Sequence, residues 1–324
     1  MRAFKGFNKD LTCRGYQYEE GKEFHTERAE CCDTGFHACE YPLDCFGYYD
    51  PAHSVFHEVE LSGEMDKSRD NTKVCATDIK IGARLSIAGL VKMAIDFTMS
   101  KVNKEAGSDE RHGFASATGD YGASSATGNY GASSATGYKG ASSATGNCGA
   151  SSATGDYGAS SATGNCGASS ATGDYGASSA TGNYGASSAT GYKGASSATG
   201  DYGASSATGD YGASSATGNC GASSATGYKG ASSVSDPTGV AVAWGHEARA
   251  KGCKGAHLIL ADWKYVGARY SDGDYMDPYD KESWELTGAK MVVVDGEKIK
   301  EDTYYRCIEG EIVEVTEDGE IVEG

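Results

Sequence analysis

Ala141-Ser142-Ser143-Ala144-Thr145-Gly146-Asn147-Cys148-Gly149 is one of thirteen near-identical copies of the phrase Ala-Ser-Ser-Ala-Thr-Gly-x-x-Gly, running from Ala115 to Ser233. Sorting the two variable positions reveals a second period of eighteen. One series reads Asp120-Tyr121, Tyr138-Lys139, Asp156-Tyr157, Asp174-Tyr175, Tyr192-Lys193, Asp210-Tyr211 and Tyr228-Lys229, and it holds every repeat Lys. The other reads Asn129-Tyr130, Asn147-Cys148, Asn165-Cys166, Asn183-Tyr184, Asp201-Tyr202 and Asn219-Cys220, and it holds every repeat Cys. Duplication of an eighteen-codon block would leave this pattern on any fold. The physical reading is a coil with two unlike edges.

Chain geometry favours the coil. Nine residues have a contour of only about 30 Å at roughly 3.3 Å per residue, which leaves almost no interior after two turns. Eighteen residues close comfortably. Each nonapeptide then supplies a short strand, Ala-Ser-Ser-Ala-Thr, and a Gly-x-x-Gly corner. Fixed periods of this kind mark solenoids and parallel β-helices. Thirteen half-coils predict about six and a half coils, a rod on the order of 30 Å long at roughly 4.8 Å per layer. Strand alternation sends either Ala, Ser and Thr or Ser and Ala inward. Neither set contains a large apolar side chain, so stability must rest on backbone ladders, hydroxyl ladders and edge stacking of residues such as Tyr121, Tyr157 and Tyr175. Gly, Ser and Ala runs also make flexible linkers. Thirteen copies in strict register, with placed Tyr and Asn, argue against a linker here.

The predicted organisation is mainly β: residues 1–112 form a small α+β domain, 113–233 the solenoid, and 234–324 a solenoid cap with an acidic β-rich piece. In the first part Val55 to Leu61 alternates like a strand, Lys73 to Leu85 suggests one or two more, and Ile87 to Met99 reads as a helix. Tyr41 to Tyr49 reads as a short helix opened by Pro42. After the repeats, Thr238 to Ala261 keeps Gly corners and Ala alternation but brings in Val, Trp, Leu and Ile, as expected where a last coil closes its open edge. Met291 to Val294 and Ile308 to Val315 read as strands around an Asp295-Gly296 turn.

Net charge is −17, divided as −5, −2 and −10 over the three parts. Such a chain repels nucleic-acid phosphates and anionic membranes, so direct nucleic-acid or membrane binding is not expected. Acidic ends could instead face a basic partner, including a nucleic-acid enzyme inhibited by charge mimicry. Met1 to Asp10 has no apolar core of signal-peptide length, and no stretch reaches the roughly 18 apolar residues of a membrane span. The expected location is the cytoplasm, where the eleven cysteines are free thiols by default.

Chemical candidates lie in the N-terminal part. Cys31, Cys32, His37 and Cys39 are ligand types that zinc accepts, although adjacent cysteines substitute poorly for a Cys-x-x-Cys clip. Gly35-Phe36-His37-Ala38-Cys39, with Arg14-Gly15-Tyr16 before it and Glu58 or Glu60 after it, resembles the strand order of ADP-ribosyltransferase-like domains. That resemblance implies a dinucleotide held by Arg14 or His37, an aromatic strand and Glu58. Buried structural use of Arg14 and His37 is the competing reading, and the residues call for no cofactor.

Gly239-Val240-Ala241-Val242-Ala243-Trp244-Gly245-His246-Glu247-Ala248-Arg249-Ala250-Lys251-Gly252 is similar to the head repeats of trimeric autotransporter adhesins. The resemblance implies a β-roll and a homo-oligomer, a trimer. The whole layout resembles a group of bacterial and phage-associated Gly-Ala-Ser-Thr repeat proteins, which implies no particular activity. The expectation is a non-enzymatic structural or interaction protein whose rod presents end domains, and whose edge tyrosines, Tyr121, Tyr138, Tyr157, Tyr175, Tyr192, Tyr211 and Tyr228, meet a protein partner or another copy. The alternatives are a nucleotide-acting enzyme, an acidic inhibitor, and an ice- or glycan-binding Ser/Thr face.

Overall fold

The computed structural model describes residues 1–68, 72–101, 106–267 and 283–322. Strand dominates, with 52% of residues in strands and 6% in helix. The repeats form the expected parallel solenoid of about 18 residues per coil. Strands β10 (Ala123–Ala126), β12 (Ala141–Thr145), β14 (Ala159–Thr163), β16 (Ala177–Thr181), β18 (Ala195–Thr199), β20 (Ala213–Thr217) and β22 (Ala231–Val234) share one parallel sheet. Strands β9 (Phe114–Thr118), β11 (Ala132–Thr136), β13 (Ala150–Thr154), β15 (Ala168–Thr172), β17 (Ala186–Thr190), β19 (Ala204–Thr208), β21 (Ala222–Ala225) and β23 (Val240–Ala243) share the other. Every pairing joins residues eighteen apart, as in Ser160↔Ser178.

The interior is made of the second and fourth residues of each strand. Ser133 and Ala135 are buried, for example, while Thr136 is exposed. Thirteen inward serines, Ser124 to Ser232 at intervals of nine, join hydroxyl to hydroxyl in one buried chain with links of 2.7 to 3.0 Å. From Ser142 onward each hydroxyl donates to the serine nine residues before it, so every link crosses from one sheet to the other. Each contributes on the order of 1 kcal/mol net, yet leaving one unmade would cost more. The thin interior is therefore held by polar stitching in place of bulk.

Parallel pairing extends beyond the repeats. β8 (Ala106–Ser108) pairs with β10, β24 (Arg249–Gly252) with β22, and β25 (His257–Tyr265) with β23, giving about eight turns. In the last coils Leu258 and Leu260 fill the interior beside Val234, Val294 and Tyr305. β26 (Trp284–Val293) then runs antiparallel to β25 and closes that sheet. The expected strand from Ile308 to Val315 is a hairpin instead, β27 (Tyr304–Ile308) and β28 (Glu311–Val315). Glu309 and Gly310 both take positive φ (50° and 76°), the backbone of a two-residue hairpin turn.

The N-terminal part contains β1 (Arg2–Asn8), β2 (Thr12–Cys13), β3 (Tyr16–Gln17), β4 (Glu23–His25), β5 (Phe36–Cys39), β6 (Ser54–Lys67), β7 (Lys73–Leu85) and helix α1 (Ile87–Lys101). Antiparallel pairings β5–β1, β1–β6, β6–β7 and β7–β5 close a ring around Phe7, Val59, Leu61, Ile79 and Ile81. Lys73 to Leu85 is a single long strand, and a 3-10 helix spans Pro42–Gly47.

This domain does not sit at the end of the rod. Leu90, Val91, Ala94 and Ile95 of α1, with Tyr41, Leu43 and Phe46, pack onto Ala141, Ala159, Ala177 and Ala195 of the β10–β22 sheet. The physical cause is steric. Four alanines in register make a flat apolar strip, and an apolar helix face buries itself against it.

Candidate functional site

Four surfaces carry the chemistry singled out above. The first is the edge formed by the Asp-Tyr and Tyr-Lys pairs. Lys139 reaches from the edge into the N-terminal domain and forms an ion pair with Asp44 at 2.8 Å, both side chains more than nine-tenths buried. Its ammonium also lies over the Tyr41 ring, 4.7 Å from the centroid, and Tyr41 donates its hydroxyl to the Tyr157 carbonyl at 2.7 Å. Tyr157 and Tyr175 stack at 4.8 Å, and Tyr211 stands edge-on to Tyr228. Tyr157, Tyr175 and Tyr211 are partly buried, Tyr228 is buried, and Tyr121, Tyr138 and Tyr192 are exposed. Much of this edge therefore meets the chain's own N-terminal domain. Farther along, Arg249 joins the C-terminal coils to that domain, donating to the Ala52 carbonyl at 2.8 Å and to the Lys229 carbonyl at 3.0 Å.

The second surface is the β9–β23 sheet. Ala150, Ala168, Ala186 and Ala204 are exposed there, in strands identical in sequence to those under α1. With Ser152, Ser170, Ser188 and Ser206 they line a shallow groove of about 470 Å3. On the adjoining Asn edge Tyr130, Tyr184 and Tyr202 are exposed, and Tyr184 stacks on Tyr202 at 5.2 Å. Cys148 and Cys166 sit in consecutive layers of that edge, Cys166 N–H donating to the Asn147 carbonyl.

The third is a cleft of about 900 Å3 in the N-terminal domain, lined by Arg14, His37, Lys5, Tyr16, Tyr18 and Phe36, among others. Arg14 and His37 thus share one cavity. Glu58 does not join them: it is ion-paired with Arg2 at 2.6 Å, because β1 lies beside β6 with Arg2 and Glu58 on the same side. His37 is pinned at both nitrogens, Nδ1 donating to the Gly35 carbonyl and Nε2 accepting from the Cys32 N–H, each at 3.0 Å. Burial pushes its pKa below the ordinary value, which favours the neutral ring.

The expected metal candidates separate. Cys31 and His37 converge with Cys75, their ligand atoms within 4.8 Å of one another. Cys32 instead meets the Lys73 ammonium at 2.9 Å, and Cys39 is buried in the core beside Cys45. Cys75 was invisible to spacing, since it lies opposite His37 only through the β5–β7 register.

The fourth surface is a cleft of about 370 Å3 where all three parts meet, lined by Asp50, His53, Lys193, Tyr211, Lys229 and Asp318, among others. Asp50 orients His53 through Nδ1 at 2.5 Å, and Nε2 has no hydrogen-bond partner among the described residues. No local motif announces this cleft, because its residues come from distant stretches of chain.

The molecule is thus a parallel β-solenoid protein carrying an α+β domain along one face. Residues 1–93 match a family model described as Domain of unknown function (DUF7666), a match that ends within α1, before the first coil. No curated protein and no solved structure matches the chain. Among the described residues, no helix is long and apolar enough to cross a membrane.

Proposed function

We propose that the protein is a non-enzymatic interaction module whose uncovered solenoid face pairs with the same face of a second copy. One observation carries this reading: two sheets of the same Ala-Ser-Ser-Ala-Thr strands differ in that one is buried under α1 and the other is bare among the described residues. The bare sheet presents Ala, Ser and Thr and no charged side chain on its strands from Phe114 to Ala225, so two copies at −17 can meet there without like charges in contact. Its eight strands make a plane on the order of 34 Å by 17 Å, about 600 Å2, from roughly 4.8 Å per layer and 3.3 Å per residue. Tyr130, Tyr184 and Tyr202 on the flanking edge extend it toward the ~800 Å2 per partner of a standard interface. A single self-complementary face closes as a two-fold dimer. A reducing compartment, the cytoplasm, suits the eleven free thiols.

Ice or glycan binding on this face is a second reading, supported by exposed Thr154, Thr172, Thr190 and Thr208 repeating at layer spacing. The nucleotide-enzyme reading has less support, with Glu58 outside the cleft that holds Arg14 and His37. Light scattering across a hundredfold concentration range tests the proposal. Twice the chain mass at the high end is expected. A constant single-chain mass rules out self-association, and thermal hysteresis in that case selects the ice reading.

A further inference from the structure

We infer that Cys31, His37 and Cys75 bind one thiophilic divalent cation, of which zinc is the representative. His37 and Cys75 are cross-strand partners in the β5–β7 pairing. Their neighbours Phe36, Ala38, Val74 and Ala76 point into the apolar ring, so alternation turns His37 and Cys75 to the other side together. Cys31 reaches them from a tight turn closed by Glu30 N–H to the Thr34 carbonyl, and the Cys31 N–H is fixed on Asp66 at 2.9 Å. Two sulfurs and one imidazole nitrogen within 4.8 Å of one another need only a small closing rotation of their side chains to surround a single ion at the zinc–sulfur length of about 2.3 Å and the zinc–nitrogen length of about 2.0 Å.

The ring orientation supports the assignment. His37 Nδ1–H is donated to the Gly35 carbonyl, which leaves the lone pair on Nε2, the arrangement by which a backbone carbonyl commonly orients a metal-binding histidine. That lone pair accepts the Cys32 N–H at 3.0 Å and the Cys31 thiol donates to the Asp66 carbonyl at 3.2 Å, and a metal would replace these two neutral hydrogen bonds. Cys32 has a positive φ of 73°, a costly conformation for a side chain with a Cβ, so the turn can relax as the bond is exchanged. Thiolate and imidazole ligands select zinc-class ions over magnesium or calcium. Binding converts both thiols to thiolates and releases their two protons, and three protein ligands leave a fourth position for solvent.

Cobalt titration of the reduced, chelator-stripped full chain tests this site. We expect one equivalent of cobalt with thiolate-to-metal charge-transfer absorption, displaced by zinc. Cys31→Ser and Cys75→Ser should each weaken binding by roughly 100-fold or more, whereas Cys148→Ser on the solenoid leaves it unchanged. Alkylation of the unmutated chain avoids any folding defect in the variants: zinc should protect the partly exposed Cys31 and leave the exposed Cys166 reactive, as mapped by peptide mass spectrometry, while Cys75 is already shielded by burial. Absence of charge-transfer absorption, a Cys31 that zinc leaves fully reactive, or a Cys31–Cys75 disulfide persisting under reductant would overturn the assignment.

Discussion

The covered and the bare sheets of the solenoid are built from the same five-residue strand, yet one carries a domain and the other carries nothing described. Ala159 and Ala177 lie under α1 at 0% exposure, while Ala168 and Ala186 on the opposite sheet are exposed. The strand cannot be what distinguishes them. Their edges differ: the Asp-Tyr and Tyr-Lys series supplies Lys139 to Asp44, the Tyr157 carbonyl to Tyr41, and a Tyr stack against the domain. The lesson is that a uniform repeat fixes shape, and two variable positions in nine address it.

The strongest way to break this comparison is to place the same carboxylate on both faces. Ala177→Glu should cost about 3–5 kcal/mol in urea unfolding, because an unpaired charge is buried under α1. Ala186→Glu should stay within about 0.5 kcal/mol when unfolding is measured at a concentration too low for pairing. Equal losses would mean that α1 does not cover the first face.

Lysines within one series sharpen the point. Lys139→Ala strands Asp44 in the interface and should destabilise the domain by about 3 kcal/mol. Lys229→Ala removes a partly buried contact with Glu247 at 3.5 Å and a ring contact with Tyr228 at 5.3 Å, and about 1 kcal/mol is expected. Limited proteolysis of the N-terminal domain reads both, and an indifferent Lys139→Ala would remove the addressing role of the edge.

What the two sheets share is the serine chain between them. Ser178→Ala deprives Ser187 of its acceptor and Ser169 of its donor, and about 1–3 kcal/mol should be lost. Ser170→Ala, pointing outward from the bare sheet, should be close to neutral. Matching thermal unfolding curves for these two variants would show that the hydroxyl chain contributes nothing.

A pH-dependent effect concerns the join to the C-terminal piece. Burial pushes the Lys9 pKa down to about 7, and Glu317 at 2.9 Å pulls it upward without offsetting the burial. An unfolded Lys holds its proton to about 10.4, so between pH 7 and that value the unfolded chain binds more protons and stability rises with pH. The penalty is fully present below pH 7 and is relieved across this window. Lys9→Met should flatten that slope in unfolding measured from pH 7 to 10.

Much of the fold was legible because solenoid geometry is local: eighteen residues close a coil, glycines turn its corners, and alternation chooses its interior. The helix from Ile87 was equally readable from Leu90, Ala94 and Phe97. Docking was not, since nothing in Ala-Ser-Ser-Ala-Thr distinguishes a covered strand from a bare one. A signal existed in the confinement of Lys139, Lys193 and Lys229 to one edge, but its reader, Asp44, lies 95 residues away from Lys139. The candidate sites were only partly legible for the same reason. Cys75 meets His37 through register, Glu58 leaves Arg14 and His37 through register, and neither distance is written in spacing.

Sedimentation equilibrium of the Ser170→Lys, Ser188→Lys variant beside the unmodified chain tests whether the bare sheet is the pairing face. Both lysines lie on the bare sheet, where they would oppose like charges across a two-fold pair while leaving the fold intact. A dimer is expected for the unmodified chain, and for the variant a monomer as thermally stable as the unmodified chain at concentrations too low for pairing. A variant that associates as the unmodified chain does would place the interface elsewhere and contradict it.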